Sequence, residues 1–240
     1  MKKIISVAVC VILTFGVFGV FGCAAYKEEY GDFVCKFYDT KNTVDINGLS
    51  EEGKKKKILV IPKEINGYTV DYIGKKMLMG TGNPDISSEN LEVIYFTQNL
   101  DGRFWYQDCP NLKKAFLIEN GVNREITKVF EINENTSMYM SNFFISKFNA
   151  DNRVRIFPAN VSYFYNYEGA PNDGYYWIDD VENGETIKYI PENPTREGYL
   201  FGGWFKDEAC TEVWDFEKDT IVKPADGYYE NILYAKWNKR

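Results

Sequence analysis

Apolar and polar positions along the chain fall into three regimes. Ile4 to Phe21 is an unbroken uncharged run, rich in Val, Ile, Leu and Phe, behind Lys2 and Lys3. From Asp32 onward the apolar residues alternate or come in short blocks, as in Phe33, Cys35 and Phe37 and then Ile58-Leu59-Val60-Ile61. Beyond Pro158 the blocks turn aromatic: Val161-Ser162-Tyr163-Phe164-Tyr165-Asn166-Tyr167 and Tyr175 to Val181, separated by the cluster Gly169-Ala170-Pro171-Asn172-Asp173-Gly174. Short β-branched and aromatic blocks bounded by Gly, Pro, Asn and Asp predict strands, and little of the chain repeats at the helical period. The expected fold class is therefore mainly β (α+β).

The middle of the chain repeats. Asn90-Leu91-Glu92-Val93-Ile94-Tyr95-Phe96 returns as Asn111-Leu112-Lys113-Lys114-Ala115-Phe116-Leu117, with Asn-Leu 21 residues on, a spacing found in leucine-rich repeats. An earlier relative runs through Ile61-Pro62, Ile65, Val70, Ile73-Gly74 and Met77-Leu78. With Cys109-Pro110-Asn111-Leu112, these residues make the segment from about 33 to 157 resemble the BspA-like leucine-rich repeats of bacterial surface proteins, most strongly over 58–118. The resemblance implies a short solenoid whose parallel strands stack over one continuous apolar interior, because a single unit has too little core to fold alone. Gly74 and Gly102 would stand at tight corners, and Cys109 would be a small buried side chain. A solenoid needs covered ends. Asp32 to Asn47 suits a capping hairpin, while Phe143-Phe144-Ile145 and the segment Val154, Ile156, Phe157 read as two strands closing the array.

The C-terminal segment carries a denser motif. After the turn signal Glu182-Asn183-Gly184-Glu185 come Pro194-Thr195-Arg196-Glu197-Gly198-Tyr199, Gly203-Trp204, Trp214-Asp215-Phe216 and Leu233-Tyr234-Ala235-Lys236-Trp237. This succession, covering about residues 160 to 238, resembles the internalin B-repeat module and implies a small β-grasp-like sheet with an irregular crossover. The rings of Trp204, Trp214 and Trp237, with Tyr199, Phe201, Phe216 and Tyr234, supply large apolar areas and are read first as core. Tyr175, Tyr176 and Trp177 are the candidate ligand contacts. Three adjacent aromatics on one strand cannot all point to the same face, so an outward ring could stack on a sugar.

The N-terminal regime has the grammar of an export signal. A helix of its length would reach about 27 Å, at ~1.5 Å per residue, which also permits a short spanning anchor. Val20-Phe21-Gly22-Cys23 resembles the lipobox of bacterial lipoproteins, which implies lipidation at Cys23 and cleavage before it. Ordinary secretion and an uncleaved anchor are the alternatives. The organisation expected is a lipoprotein signal peptide at 1–22, a repeat region with capping strands at 23–157 and the internalin-type module at 158–240.

Charge and rare residues narrow the function. The chain holds 28 Lys and Arg against 35 Asp and Glu, a formal net charge of −7, and loss of Lys2 and Lys3 with the signal makes the mature chain more acidic. Phosphate binding needs clustered cations, so no nucleic acid is expected. The one dense cluster, Lys54 to Lys57, reads as a solvated strand entry rather than an anionic-ligand site. Cys35, Cys109 and Cys210 form an odd set and define no disulfide framework, and free buried thiols are expected. The chain has no His, which removes Ser-His-Asp, Cys-His and most zinc designs. Asp179, Asp180, Glu182 and Glu185 could be imagined as glycosidase or calcium carboxylates, but they sit in a polar turn without EF-hand spacing. No enzyme activity, cofactor or metal is expected. A solute-binding lipoprotein would need two α/β lobes. The expected function is a non-catalytic lipoprotein, lipid-anchored to the membrane and exposed at the cell surface, that binds an extracellular protein or glycan through its repeat domain. The alternative is an envelope lipoprotein that organises partners of its own cell.

Overall fold

The computed structural model describes residues 25–73, 86–97, 109–119, 135–145, 156–223 and 229–240, with side chains from Glu28 onward. It is mainly β, with three sheets, two of which contain parallel pairs and a third that is parallel throughout. Among the described residues no helix is long and apolar enough to cross a membrane.

The chain begins with β1 (Ala25–Tyr30), β2 (Phe33–Tyr38) and β3 (Thr43–Leu49), an antiparallel meander. Phe33, Cys35 and Phe37 are buried and their neighbours less so, which is the alternation expected of a strand covered on one face. Next, β4 (Ile58–Ile61) starts the second sheet, and β5 (Glu64–Ile65) and β6 (Tyr68–Ile73) return to the first, giving the order β1-β2-β3-β6-β5. Within the segment read as an earlier repeat relative, Glu64 to Ile73 is thus a hairpin turning at Asn66-Gly67, both with positive φ, and its second strand pairs parallel with β3, while Met77 and Leu78 lie outside the described residues. Asn-Gly is the pair that tolerates this geometry. Gly53 meets a different demand, because a Cβ there would lie 2.0 Å from the Asp32 carbonyl oxygen.

The second sheet continues with β7 (Val93–Phe96), β8 (Lys114–Leu117), β9 (Ser137–Met140) and β10 (Ile156–Pro158), all parallel, in the order β10-β9-β8-β7-β4. Its register aligns Leu59, Ile94, Ala115 and Met138 in one row and Ile61, Phe96 and Leu117 in another. Both rows are buried and join Cys35, Phe37, Val44 and Ile46 of the first sheet in one core. The repeated Asn-Leu has a matching physical role. Leu91 and Leu112 are buried, each contributing about 1.5–3 kcal/mol. Asn90 Nδ2 donates to the Lys54 carbonyl (3.0 Å) and Asn111 Nδ2 to the Glu89 carbonyl (2.7 Å). The amide therefore ties each rung to the one before.

Two local expectations differ from the structure. Phe143-Phe144-Ile145 is not a strand but part of a helical turn, α1 (Asn142–Ile145). Ser141 precedes it and accepts from the Phe144 N–H through its hydroxyl (3.2 Å), so a capping signal overrode the β propensity of the rings. The strand ahead of it is β9, which lies between β8 and β10 and whose Met138 and Met140 alternate inward with Ser137 and Tyr139. Ile156 and Phe157 do form a strand, β10. The corners assigned to Gly74 and Gly102 lie outside the described residues.

The third sheet comprises β11 (Val161–Phe164), β12 (Tyr175–Asp179), β13 (Tyr199–Phe205) and β14 (Asn231–Lys239), in the order β12-β11-β14-β13. Its central pair, β11 and β14, is parallel and the outer pairs are antiparallel. Trp204 and Trp214 are buried with Tyr163, Leu233 and Ala235, while Phe201, Phe216 and Trp237 pack at the margin. The Arg196 guanidinium lies 4.1 Å from the Tyr167 ring centroid and 3.9 Å from that of Tyr199. This cation sandwich gives the Thr-Arg-Glu-Gly-Tyr motif its structural reason.

Candidate functional site

The outer face of the parallel sheet places Val60, Tyr95, Phe116, Tyr139 and Phe157 at equivalent positions on successive strands. Their rings form a ladder. Tyr95 and Phe116 stack at 4.6 Å, Phe116 and Tyr139 at 5.0 Å, and Tyr139 and Phe157 tilt together at 5.9 Å. A solvated sheet face would carry polar residues here. Instead Tyr95 is 2% and Phe116 0% exposed, because the third sheet and its crossover lie on them. The Trp177 ring is 4.7 Å and the Tyr189 ring 5.2 Å from that of Tyr95.

Polar groups fasten this contact at both ends. The Tyr95 hydroxyl donates to Asp179 Oδ1 (3.1 Å), which also accepts the Asp180 N–H (2.8 Å). Lys114 Nζ donates to the Asp180 carbonyl (2.7 Å) and pairs with Asp180 Oδ2 (2.9 Å). At the far end, Asn172 Nδ2 donates to the Ile118 carbonyl (2.9 Å). Burial pushes the Asp179 carboxyl up to about 6, against the opposing pull of the Asp180 N–H, the Tyr95 hydroxyl and Lys114. The Tyr95 hydroxyl is held far above the phenol range by burial and by Asp179, so it remains a donor.

The connection between the sheets is itself stitched down. Ala159 N–H donates to the Met140 carbonyl (2.9 Å). Asn160 Nδ2 donates to the Val181 carbonyl (2.9 Å), its Oδ1 accepts the Val181 N–H (3.0 Å), and its own carbonyl accepts the Asn231 N–H (2.8 Å). This buried asparagine thus ties the start of β11 to Val181 and to the start of β14.

Two cavities flank the contact. One of about 540 Å³ lies between the strand starts, Lys113 and the Asp180 to Lys188 segment. The other, about 490 Å³, is bordered by Val60, Lys63, Glu119, Tyr165, Tyr176 and Glu192. Tyr189 borders both.

The candidate contacts Tyr175, Tyr176 and Trp177 all border the second cavity. Tyr175 and Trp177 are buried. Tyr176, on the opposite side of the strand, is half-buried, stacks on Trp204 at 5.8 Å and donates its hydroxyl to the Glu192 carbonyl. The strand therefore alternates as expected, but its outward ring is covered too. Asp179 and Asp180 serve the contact just described. Glu185 N–H closes a turn on the Glu182 carbonyl (3.1 Å). Among the described residues no group of three Cys, Asp or Glu side chains could hold a metal ion. Cys35, Cys109 and Cys210 are free thiols, the first two buried and the third half-exposed. Lys54, Lys55, Lys56 and Lys57 face Glu51, Glu52, Asp32 and Glu92 respectively, so the cluster is neutralised strand-entry charge. Cys23 lies outside the described residues.

Sequence reasoning missed Tyr95, Phe116 and Tyr189. A signal existed: Val93-Ile94-Tyr95-Phe96 and Ala115-Phe116-Leu117 are apolar without alternation, the mark of a strand covered on both faces.

Comparison with known proteins bears on the third sheet. Residues 161–236 match the family model of the Listeria-Bacteroides repeat domain, the segment that carries the Thr-Arg-Glu-Gly-Tyr and Trp-Asp-Phe elements. Over 48 residues, 20% of this chain, the sequence is 52% identical to an inferred membrane protein of Evansella cellulosilytica. Over 58 residues, 24% of this chain, it is 47% identical to an inferred Gly-rich membrane protein of the same organism. The matched part spans 6% of the length of each of these relatives.

Proposed function

We propose that this is a non-catalytic surface lipoprotein, anchored through Cys23, in which a short leucine-rich-repeat solenoid and a β-grasp-like module together bind an extracellular protein or glycan. The observation that carries the reading is the sealed contact between the modules. It covers Tyr95 and Phe116 at the centre of the outer face of the parallel sheet and leaves, beside them, an aromatic groove between the two sheets. Sites mounted on rigid elements bind with less ordering cost than sites on mobile loops. The match to a surface repeat domain and the relatives' names as membrane proteins support an extracytoplasmic, membrane-associated place. The expected partner is therefore a protein or glycan outside the cell, with the membrane engaged through the lipid alone.

Anchoring is testable in cells. A single acyl chain holds a protein at a membrane only marginally, and the several chains that the lipobox resemblance implies all depend on Cys23, so loss of that cysteine removes the lipid anchor. Cys23→Ala is expected to leave the chain unprocessed or released, and the parent accessible to protease added to intact cells. A mature Cys23→Ala protein that stays in the membrane fraction would contradict the lipid anchor, and protection of the parent from protease would contradict surface exposure.

A further inference from the structure

We infer that Arg196, held against the rings of Tyr167 and Tyr199, and Lys239, opposite Tyr199 on the last strand, form a binding site for the carboxylate of an acidic sugar unit in an extracellular glycan. This rests on the surface-binding reading and names the ligand class for it.

Charge pairing sets these two cations apart. The chain carries −7, and most of the described lysines meet a carboxylate, among them Lys54 to Lys57, Lys113, Lys114 and Lys206. Arg196 and Lys239 do not. Among the described residues neither side chain makes an ion pair or a hydrogen bond, and the exposed Glu168 and Glu197, next in sequence to Tyr167 and Arg196, pair with neither.

The backbone makes the two cations neighbours. Tyr199 N–H donates to the Arg196 carbonyl (3.2 Å), closing a tight turn, and Tyr199 lies opposite Lys239 in the antiparallel pair of β13 and β14. Directly opposed residues of a sheet carry their side chains on one face, with Cβ atoms about 5 Å apart. Arg240 N–H donates to the Gly198 carbonyl (3.0 Å) and fastens the end of β14 to the same turn.

The guanidinium is preorganised. It lies 4.1 Å from the Tyr167 ring centroid and 3.9 Å from that of Tyr199, so stacking orients its plane while engaging none of its N–H donors. A fork held in this way matches the two oxygens of a carboxylate. Trp237, whose indole donates to the Tyr165 carbonyl, is 6.0 Å away and is half-buried, as are Tyr167 and Tyr199. A uronate carries its carboxylate rigidly on a ring whose C–H face suits such aromatics, whereas the aspartate or glutamate of a peptide must freeze a flexible stem. Two cations on an acidic chain suit one carboxylate and disfavour a dense polyanion such as a glycerol phosphate polymer.

The test is titration of the full chain with oligogalacturonate and a sialylated oligosaccharide. Their neutral methyl esters, a glycerol phosphate oligomer and a glutamate-rich peptide serve as competing probes, and the Arg196 Nε proton is followed by NMR. An acidic oligosaccharide is expected to bind and move this resonance, with its methyl ester about tenfold weaker or worse. Arg196→Lys, which keeps the charge and loses the fork, should weaken binding about tenfold, about 1.4 kcal/mol. Lys239→Ala should weaken it with the melting temperature unchanged. Lys236, on the other face of β14 with its ammonium 4.8 Å from the Phe205 ring centroid, is the control, and Lys236→Ala should leave binding unchanged. Binding unaffected by Arg196→Lys and Lys239→Ala, or weakened as much by Lys236→Ala, would overturn the site. Peptide or phosphate binding at Arg196 with both acidic sugars blank would overturn the ligand class and leave the surface-binding reading standing. A blank with every probe, on an array extended to matrix proteins and mucins, would sink both.

Discussion

Tyr95→Ala is expected to destabilise the protein by about 4 kcal/mol, since truncation of a buried aromatic costs roughly 3–5 kcal/mol. The ring is at the centre of the contact between repeat sheet and C-terminal module, with Phe116, Trp177 and Tyr189 all within 5.2 Å of its centroid. Removing it opens a cavity in three directions and strips Asp179 of its hydroxyl donor. Tyr95→Phe separates the two effects: it keeps the stacking and should cost about 1–3 kcal/mol, the usual consequence of leaving a buried acceptor short of a partner. Denaturant unfolding followed by tryptophan fluorescence measures both. Near-neutral behaviour of Tyr95→Ala would mean that the modules do not rest on each other there.

Asp179 provides the second large effect, and its sign is opposite to that of most carboxylates. In the folded protein the carboxyl keeps its proton up to about pH 6, whereas in an unfolded chain it loses it near ~3.9. Between those values the folded state binds more protons, so this group's contribution to stability falls as pH rises from about 4 to 6 and is absent above. At pH 7 the protein therefore bears the cost of a buried charge, on the order of 3 kcal/mol. Asp179→Asn keeps an oxygen to accept from Tyr95 and Asp180 while removing the charge. It is expected to be more stable than the parent at pH 7 and to approach parity near pH 4. Asp207, Asp215 and Asp219, whose carboxyls are held low by backbone N–H groups or lysines, act in the reverse direction and cancel in the comparison. A parent and variant with parallel pH profiles would refute the assignment.

What could be read in advance divides along physical lines. The strand at Ile58–Ile61 and the two Asn-Leu strands were legible because each carries its apolar block within one short segment, and the Asn-Leu pair recurs directly before two of them. The aromatic motif of the third sheet was legible for a similar reason: Arg196, Tyr199 and Trp204 crowd one short segment. The helical turn at Asn142–Ile145 was misread because three large apolar residues imitate a strand, and a single serine cap decided otherwise. The site was the least visible part. Tyr95 and Asp179 lie 84 residues apart, and no local pattern records their pairing. Only the unbroken apolar character of β7 and β8 hinted that a second surface had to cover them. The triplet Tyr175-Tyr176-Trp177 borders the groove, yet its rings are packed by Phe164, Trp204 and Tyr95 respectively, and Tyr189, the ring that borders both cavities, comes from the irregular crossover.

The account stands on the repeat sheet and the C-terminal module being one folded unit, closed over the Tyr95–Phe116–Tyr139 ladder and locked by Asn160. Differential scanning calorimetry of the chain tests this most directly. One transition is predicted, with calorimetric and van't Hoff enthalpies equal, as for a cooperative two-state unit. Two resolved transitions, or a calorimetric enthalpy well above the van't Hoff value, would show that the modules melt independently and would contradict it.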